Sequence, residues 1–561
     1  MKKLFTWALV AAVMTAGAAF AGPVSSLNAG RMFIQPNATF AGGAGAFNFT
    51  GGASAVGSGP TTTNNDDSCD IGTAPAATLL LPFFEVDFRQ PSNNALNTNF
   101  TITNVSQFPQ VAHITIWSDR SFPVLDFNIY LTGYDVQGIN LYDIIARGQV
   151  PPTGAGTATT AFLPFSPNGP RSIGRAANPN FIQNAAGTGV DTAAFFTACG
   201  QLPGQIPGAP AAGSTVATSL LLDIQNALSI GSYSTCPTPA PGTGPGVVGS
   251  NRGATGTARG YVTVDVANTC SQTLPTTASY YQNEILFDNV LIGDYQRINP
   301  RSGALAGAAG DAGGNPMVHI RAIPEGGLAT STATVNLPFT FYDRYTPGLN
   351  RKADRRQPLP GTFAARFIQG GTGSMNTALN IWREGVTSGT ATEACAVSAN
   401  ANIPTTELVR FDERENPSAF IAPGCQFSPC PINNPPTFGF PETSSTDTGT
   451  SAGGAVSGAF PQLVSPAGDV GGWMYLNLNN GGTPVTNVYS AARAATHPGV
   501  SQNWVTITQA ADAPIGRYSV EFDAAWLGNG CSPRPGVTGL TSAGPAIGPA
   551  GGAITGTNST P

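Results

Sequence analysis

Charged side chains are scarce in this 561-residue chain. Asp, Glu, Lys and Arg make up 10% of it, against about 25% in ordinary soluble domains. Lysine is scarcest, because after Lys2 and Lys3 only Lys352 follows. A chain with so few cations cannot neutralise many phosphates and is weakly attracted to anionic membrane surfaces. The composition therefore predicts no nucleic-acid partner.

Histidine is almost as rare, with only His113, His319 and His497, far apart in the sequence. This scarcity disfavours histidine-dependent hydrolysis. Carboxylate chemistry stays open, because Glu85 and Asp87 stand at i and i+2 of a predicted strand and share one face. There they would bind a cation or flank a glycosidic bond. The alternative is that such acids cap strand ends and turns, and the sequence assigns no catalytic residue.

The amino terminus predicts export. Lys2 and Lys3 precede an apolar run over residues 4–16, and Ala19-Phe20-Ala21 is a small-x-small cleavage site, which is typical of a signal peptide over 1–21. No later apolar run reaches the ~18 residues of a membrane span, so we expect no transmembrane helix after cleavage. The mature chain has 23 basic and 31 acidic residues, a net charge of about −8. We expect it in the periplasm, at the cell surface or outside the cell.

The chain has eight cysteines, an even number that in an exported protein predicts up to four disulfides. A bridge between Cys199 and Cys236 would close a short loop and stabilise the fold by roughly 3–4 kcal/mol. A zinc site is disfavoured, because Cys425 and Cys430 have no second close pair and no nearby histidine. The eight candidates are Cys69, Cys199, Cys236, Cys270, Cys395, Cys425, Cys430 and Cys531.

Short strands bounded by turn residues predict an all-β, mainly antiparallel fold with immunoglobulin-like sandwich blocks. Asn99–Asn104 alternates apolar and polar residues, whereas Pro82 marks an edge or bend in the strand that begins at Thr78. A helix is predicted over about 218–228, where apolar residues share one face. The predicted segments are a Gly/Asn-rich segment at 22–68, a first sandwich block at 69–150, a Pro/Gly-rich insertion with short helices at 151–258, a second β-rich block at 259–531 and a low-complexity tail at 532–561.

Two local clusters suggest ligands. Residues 64–70 offer several oxygen donors, which makes calcium the one metal to consider, although the segment lacks EF-hand spacing; no other cofactor is predicted. Residues 351–356 are the only dense charge cluster. They are interpreted either as a docking site for an acidic partner or polysaccharide, or as a solvated loop.

Several strings in the chain resemble an uncharacterised family of predicted secreted bacterial β-rich proteins. This resemblance implies one shared architecture from about Cys69 to Cys531, and it implies no activity, ligand or functional residue. The strings are Asp67–Ile71, Leu79–Asp87, Asp126–Val136, Arg259–Val266 and Phe522–Cys531.

Three classes of function follow. The first is an exported, non-catalytic surface or extracellular-matrix scaffold or adhesion protein that contacts itself, the envelope or extracellular polymer. The second is a carbohydrate-binding protein, in which exposed tryptophans would stack on sugars, although their strand positions favour core packing for most of them. The third is a secreted glycoside hydrolase that uses carboxylates. The candidate tryptophans are Trp117, Trp382, Trp473, Trp504 and Trp526.

Overall fold

The computed structural model describes about two fifths of the chain, and the described residues form mostly antiparallel strands. The described residues are 74–105, 110–131, 134–151, 216–234, 236, 246–250, 256–267, 273–299, 311–322, 340–346, 354–368, 375–385, 403–404, 407–415, 417–419, 439–440, 442–447, 471–479, 501–513 and 516–528.

Among the described residues, eleven strands and two α-helices lie between positions 78 and 320. Asn140 caps helix α1, its side chain accepting from the backbone N–H of Tyr142 at 2.9 Å, as short polar residues do at helix starts. In chain order the elements are β1 Thr78–Asp87, β2 Asn97–Asn104, β3 Gln110–Trp117, β4 Pro123–Leu131, β5 Val136–Asn140, α1 Leu141–Arg147, α2 Thr218–Ser229, β6 Ser232–Tyr233, β7 Gly246–Val247, β8 Thr257–Ala267, β9 Leu291–Asn299, β10 Asp311–Pro316 and β11 Val318–Ile320.

Eleven further strands follow. A π-helical turn at Tyr280–Glu284 precedes β9, and a 3-10 turn at Asp343–Tyr345 precedes β12. The strands are β12 Thr362–Ile368, β13 Asn376–Arg383, β14 Ile403–Pro404, β15 Glu407–Asp412, β16 Pro417–Ala419, β17 Gly439–Phe440, β18 Thr443–Asp447, β19 Gly471–Asn477, β20 Asn503–Ala513, β21 Gly516–Asp523 and β22 Ala525–Gly528.

These strands form four main sheets. Sheet 1 has the order β11-β1-β8-β3-β4 and sheet 2 the order β10-β9-β2-β5. Sheet 3 has the order β16-β15-β19-β12-β22 and sheet 4 the order β18-β13-β20-β21. Two-stranded sheets join β14 to β17 and β6 to β7. Every pairing between the described strands is antiparallel, for example β3 with β8, where Ile114 lies opposite Val264.

Sheets 1 and 2 face each other across one apolar core, and we call them the first sheet pair. Alternate residues of each strand contribute to this core. Ala112, Ile114 and Ile116 of β3 all point into it, because every second side chain of a strand lies on the same face. Sheet 2 contributes Phe100 and Ile102 from β2. Most of the buried side chains are aliphatic.

Sheets 3 and 4 form the second sheet pair around a second core. Phe363 and Phe367 come from sheet 3, and Leu379, Ile381 and Val505 come from sheet 4. The same cluster continues to Trp117 and Tyr261 on the outer face of sheet 1. The two sheet pairs therefore share one buried, aromatic-rich layer.

The predicted all-β, antiparallel class is confirmed, whereas the immunoglobulin-like arrangement stays a prediction. Helix α2 lies where the sequence predicts one. At Pro82 the register of β1 on β8 shifts between Leu81 and Phe84, which is the predicted bend. Strands β8–β11 lie in the same two sheets as β1–β5, and the division of the chain at residue 259 stays a prediction.

Of the eight cysteines, only Cys236 lies among the described residues, where it is buried in the first core and is not a free thiol. The other seven lie outside them, so the disulfide framework, including a Cys199–Cys236 bridge, stays a prediction. Segments 1–21, 22–68 and 532–561 and the calcium candidate at 64–70 also lie outside the described residues. In the part of the chain that is described, no helix is long and apolar enough to cross a membrane.

Candidate functional site

The most chemically distinctive place in the described structure is the layer where the two sheet pairs meet. Arg344 lies at its centre, in the 3-10 turn, and binds both sides. One guanidinium nitrogen, Nη1, lies 2.9 Å from Oε1 of Glu442 at the start of β18. The other, Nη2, donates to Ser121 Oγ at 2.8 Å and to the Tyr261 hydroxyl at 3.1 Å. We call these four residues, with Trp117, the joint.

Aromatic rings enclose the ions of the joint. Trp117 stacks on Tyr261, with ring centroids 5.6 Å apart and planes 5° apart, and on Tyr345 at 5.9 Å. The Arg344 guanidinium lies 4.6 Å from the Tyr345 ring centroid, a distance at which a cation is attracted to the ring face. The tryptophan is anchored by its Nε1, which donates to Thr263 Oγ1 at 2.8 Å.

A small cavity lies inside this aromatic cage, between Trp117, Tyr261, Trp382 and the turn at 341–345. Its volume is about 10 Å³, which is at the lower limit for a single water molecule. A sugar ring or a peptide does not fit. The joint is therefore a packed structural centre with room for one water at most.

Burial changes the pKa of Glu442, the acid of the joint. The side chain of Glu442 is fully buried, and this desolvation raises the pKa of Glu442 from 4.5 to about 7 although the charge of Arg344 lowers it. The carboxyl therefore takes up a proton close to neutral pH, far above its ordinary range. A backbone bond reinforces the contact, because the N–H of Glu442 donates to the Asp119 carbonyl of the first sheet pair at 3.0 Å.

A second ionic contact joins the sheet pairs at Glu521 of β21. Its Oε2 accepts from Arg297 Nε and Nη2 of β9 at 3.1 and 3.0 Å. Its Oε1 accepts from the Tyr295 hydroxyl at 2.6 Å and from Thr506 Oγ1 at 3.0 Å. Both oxygens are thus satisfied, which is what a buried carboxylate needs. Nearby, Asn315 Nδ2 donates to Asp523 Oδ1 at 2.8 Å.

A third centre explains the dense charge cluster at 351–356. Neither interpretation of that cluster, docking site or solvated loop, holds for its last three residues, because Asp354, Arg355 and Arg356 are at most 1% exposed. Arg356 lies 3.4 Å from Asp265 and 3.4 Å from Asp354. Asp265 Oδ2 accepts from the hydroxyls of Tyr280 and Tyr342, each at 2.7 Å.

Each acid of the predicted carboxylate pair is held by a neighbouring group. Glu85 lies 2.6 Å from Arg259 of the neighbouring strand, and Asp87 Oδ1 accepts from the backbone N–H of Arg89 at 3.1 Å. Both contacts are those of structural acids. Asp126 differs, because its Oδ2 is buried without a hydrogen-bond partner, and burial raises the pKa of Asp126 from 3.8 to about 7.

Two of the three histidines are structural. His113 and His319 are buried, and desolvation lowers the pKa of each below 6.5. Nδ1 of His113 lies 3.0 Å from Asn128 Oδ1, and Nε2 of His319 accepts from the backbone N–H of Gly293 at 3.1 Å. His497 lies outside the described residues.

The tryptophans separate into two environments. Trp117, Trp382 and Trp504 are each 1% exposed and pack in the shared core, so they are not sugar platforms. Trp473 is 45% exposed, on the outer face of sheet 3. The side chain of Trp526 lies outside the part of the structure that is described.

Sequence reasoning found neither the joint nor the second ionic contact at Glu521. Arg344 and Glu442 are 98 positions apart, and Arg297 and Glu521 are 224 apart, so no local pattern links them. One usable signal was present: in a charge-poor chain, Arg344 lies in the aromatic string Phe341-Tyr-Asp-Arg-Tyr345. Charges surrounded by large apolar residues are buried only when they are paired.

Within the described residues, no group of three or more His, Cys, Asp or Glu side chains is arranged to hold a metal ion. The contacts of the joint are an ion pair and hydrogen bonds that link the two sheet pairs. No protein-family model, curated protein or solved structure matches this chain.

Proposed function

We propose that this chain is an exported, non-catalytic scaffold or adhesion protein of the cell surface or extracellular matrix. Export is supported by the leader that the sequence predicts at 1–21, and bracing by disulfides is supported by the eight cysteines of the sequence. In the extracellular space the protein contacts itself, the envelope or extracellular polymer.

The observation that carries this proposal is the use of buried charge. Glu442 binds Arg344, and Glu521 binds Arg297, so these two acids of the second sheet pair contact groups outside it. Removing one partner from a buried pair leaves an uncompensated charge, which costs about 3–5 kcal/mol. Charges placed in this way fix the relative position of two bodies, which is a property that a scaffold needs.

The size of the cavity argues against a ligand site at the joint itself. Catalytic and ligand sites bury most of a small molecule in clefts of roughly 300–1,000 Å³, whereas the cage at Trp117 measures about 10 Å³. The polar groups of the joint therefore act on each other. The carboxylate-hydrolase alternative has less support, because Glu85 is paired with Arg259.

Light scattering on the mature chain, with an assay for shortened polysaccharide in the same samples, tests the proposal. We expect concentration-dependent assembly into large species and no polysaccharide shortening. A monomer that shortens a polysaccharide would contradict it. In that case Glu85→Gln would be compared with Asp143→Asn, a surface acid of α1 that pairs with Arg147, to locate the catalytic carboxylate.

A further inference from the structure

Trp473 is placed on the outer face of sheet 3 by strand alternation. Its neighbour Met474 points inward and is 1% exposed, whereas Trp473 is 45% exposed. The strand that carries it, β19, lies in the middle of the sheet, between β15 and β12. The indole therefore stands over a sheet surface, with Arg366 and Phe411 as its cross-strand neighbours.

Two charged side chains border this indole. The Arg366 guanidinium lies 5.5 Å from the ring centroid, and its Nη2 lies 2.6 Å from Oε1 of Glu413. The side chains of Arg366 and Glu413 are 44% and 48% exposed, so both keep hydrogen-bonding capacity toward solvent. We call Trp473, Arg366 and Glu413 the Trp473 patch.

Gly471 makes room for the carboxylate. It precedes Trp473 by two positions and so shares its face of β19. A Cβ at Gly471 would lie 2.7 Å from Glu413 Oε1, closer than a real Cβ contact. A side chain at this position would therefore displace Glu413 from its place beside the indole.

We propose that the Trp473 patch binds a neutral polysaccharide, which names the ligand class of the adhesion role proposed above and rests on that role. A pyranose ring has an apolar C–H face that covers an indole and a rim of hydroxyls that both donate and accept. Arg366 supplies donors in a planar fork and Glu413 supplies acceptors. Amphipathic aromatic residues beside a few placed polar groups are what a ligand-orienting surface requires.

Charge selects a neutral ligand. Arg366 and Glu413 pair within the patch, and the sequence neighbours of Glu413, which are Asp412, Arg414 and Glu415, add two acids and one base. The mature chain as a whole is also acidic, with 31 acidic residues in total. A polyanion would be repelled at this face.

Titration of the full mature chain with cellohexaose, xylohexaose and chitohexaose, followed by tryptophan fluorescence and calorimetry, tests the proposal. We expect at least one of the three to bind. Trp473→Ala should raise its Kd at least tenfold, Trp473→Phe should raise it less, and Glu413→Gln should raise it about threefold. The matched control is Tyr134→Ala, because Tyr134 is 59% exposed on the first sheet pair and its loss should leave binding unchanged.

The far-UV circular dichroism of each variant is compared with the parent, and the Phe variant keeps the test valid if the Ala variant misfolds. The proposal is overturned if none of the three oligosaccharides binds, if the parent and Trp473→Ala bind equally, or if polygalacturonate binds more tightly than the neutral probes. Light scattering separates the two proposals. If the parent assembles but binds no glycan, the glycan-binding proposal is rejected and the scaffold proposal stands. If, in addition, Trp473→Ala no longer assembles, this face is a self-association surface and not a glycan site.

Discussion

The first core and the joint are both buried, yet they are built from different chemistry. Sheets 1 and 2 enclose mainly aliphatic side chains, such as Ile114, Val262 and Val264, that have no polar groups to satisfy. The joint encloses Arg344 and Glu442 among aromatic rings, and each of its polar groups needs a partner. The first core stabilises any arrangement in which its strands bury their apolar side chains. The joint stabilises only one arrangement of the two sheet pairs.

This difference separates stability from specificity. Apolar burial is roughly proportional to area and has no direction, so an aliphatic core tolerates small changes in packing. A buried ion pair contributes little net stability compared with apolar residues of the same volume, but it penalises every arrangement that leaves a charge unpaired. The two regions should therefore respond differently to mutation and to pH.

The largest expected effect is at the joint. Arg344→Met leaves Glu442 buried without its cation, and we expect a loss of about 4 kcal/mol in unfolding free energy at pH 8. The loss should be smaller at pH 5. In the folded protein the pKa of Glu442 is about 7, against 4.5 in an unfolded chain. The folded state therefore gains stability from protonated Glu442 that is fully present below about pH 4.5 and is lost as pH rises through about 7. Without Arg344 that pKa rises further, and at pH 5 the acid is neutral.

Urea unfolding at the two pH values measures this effect. Arg366→Met is the matched control, because Arg366 is 44% exposed and pairs at the surface; it should change stability by less than about 0.5 kcal/mol. The double variant Arg344→Met/Glu442→Leu should recover most of the loss. An equal loss at pH 5 and pH 8 would contradict the assignment.

A smaller effect is expected in the first core. Ile114 is fully buried, and Ile114→Ala removes apolar contacts and leaves a cavity, at a cost of about 3 kcal/mol, whereas Ile114→Val should cost about 1 kcal/mol. Neither loss should vary between pH 5 and pH 8, because no charge changes. Unfolding in urea at both values gives the answer, and a pH-dependent loss would remove the contrast between core and joint.

The smallest effect is a gain. Asp126→Asn should stabilise the protein by about 2 kcal/mol at pH 8 and leave it unchanged near pH 4. Burial raises the pKa of Asp126 from 3.8 to about 7, so the stability that its protonated form provides is present below 3.8 and is lost as pH rises through about 7. Asparagine stays neutral throughout. The thermal midpoint at both pH values measures the change.

Asp135→Asn serves as its control, because Asp135 accepts from the backbone N–H of its exposed neighbour Val136 and an asparagine accepts in the same way. If Asp126→Asn were neutral or destabilising at pH 8, the acid would not be carrying an uncompensated charge.

Much of the fold could be predicted from the sequence. The alternation of Asn99–Asn104 identifies β2, the break at Pro82 identifies the bend in β1, and the apolar face of residues 218–228 identifies α2. These signals are local, since strand and helix periods show within a few residues. The order of the strands is not local. That β8 lies between β1 and β3 depends on contacts between residues more than 100 positions apart.

The candidate sites show the same division. Among the tryptophans proposed as sugar platforms, sequence treats Trp473 and Trp504 alike, and the structure exposes one and buries the other. Among the acids, Glu85 and Asp87 share a face as expected, yet Arg259 neutralises the first. Neither outcome could be predicted, because exposure and pairing depend on which strand lies alongside.

The sequence by itself determined that this chain forms antiparallel β-structure, since the period-2 alternation of apolar residues fixes which face of each strand is buried. Only the tertiary structure decided where the rare charges lie. Arg356 is at most 3.4 Å from acids at positions 265 and 354, and Arg344 meets Glu442 across 98 positions. The physical reason is that apolar burial acts through area and is encoded locally, whereas a buried charge is stable only beside one particular partner that the fold brings to it.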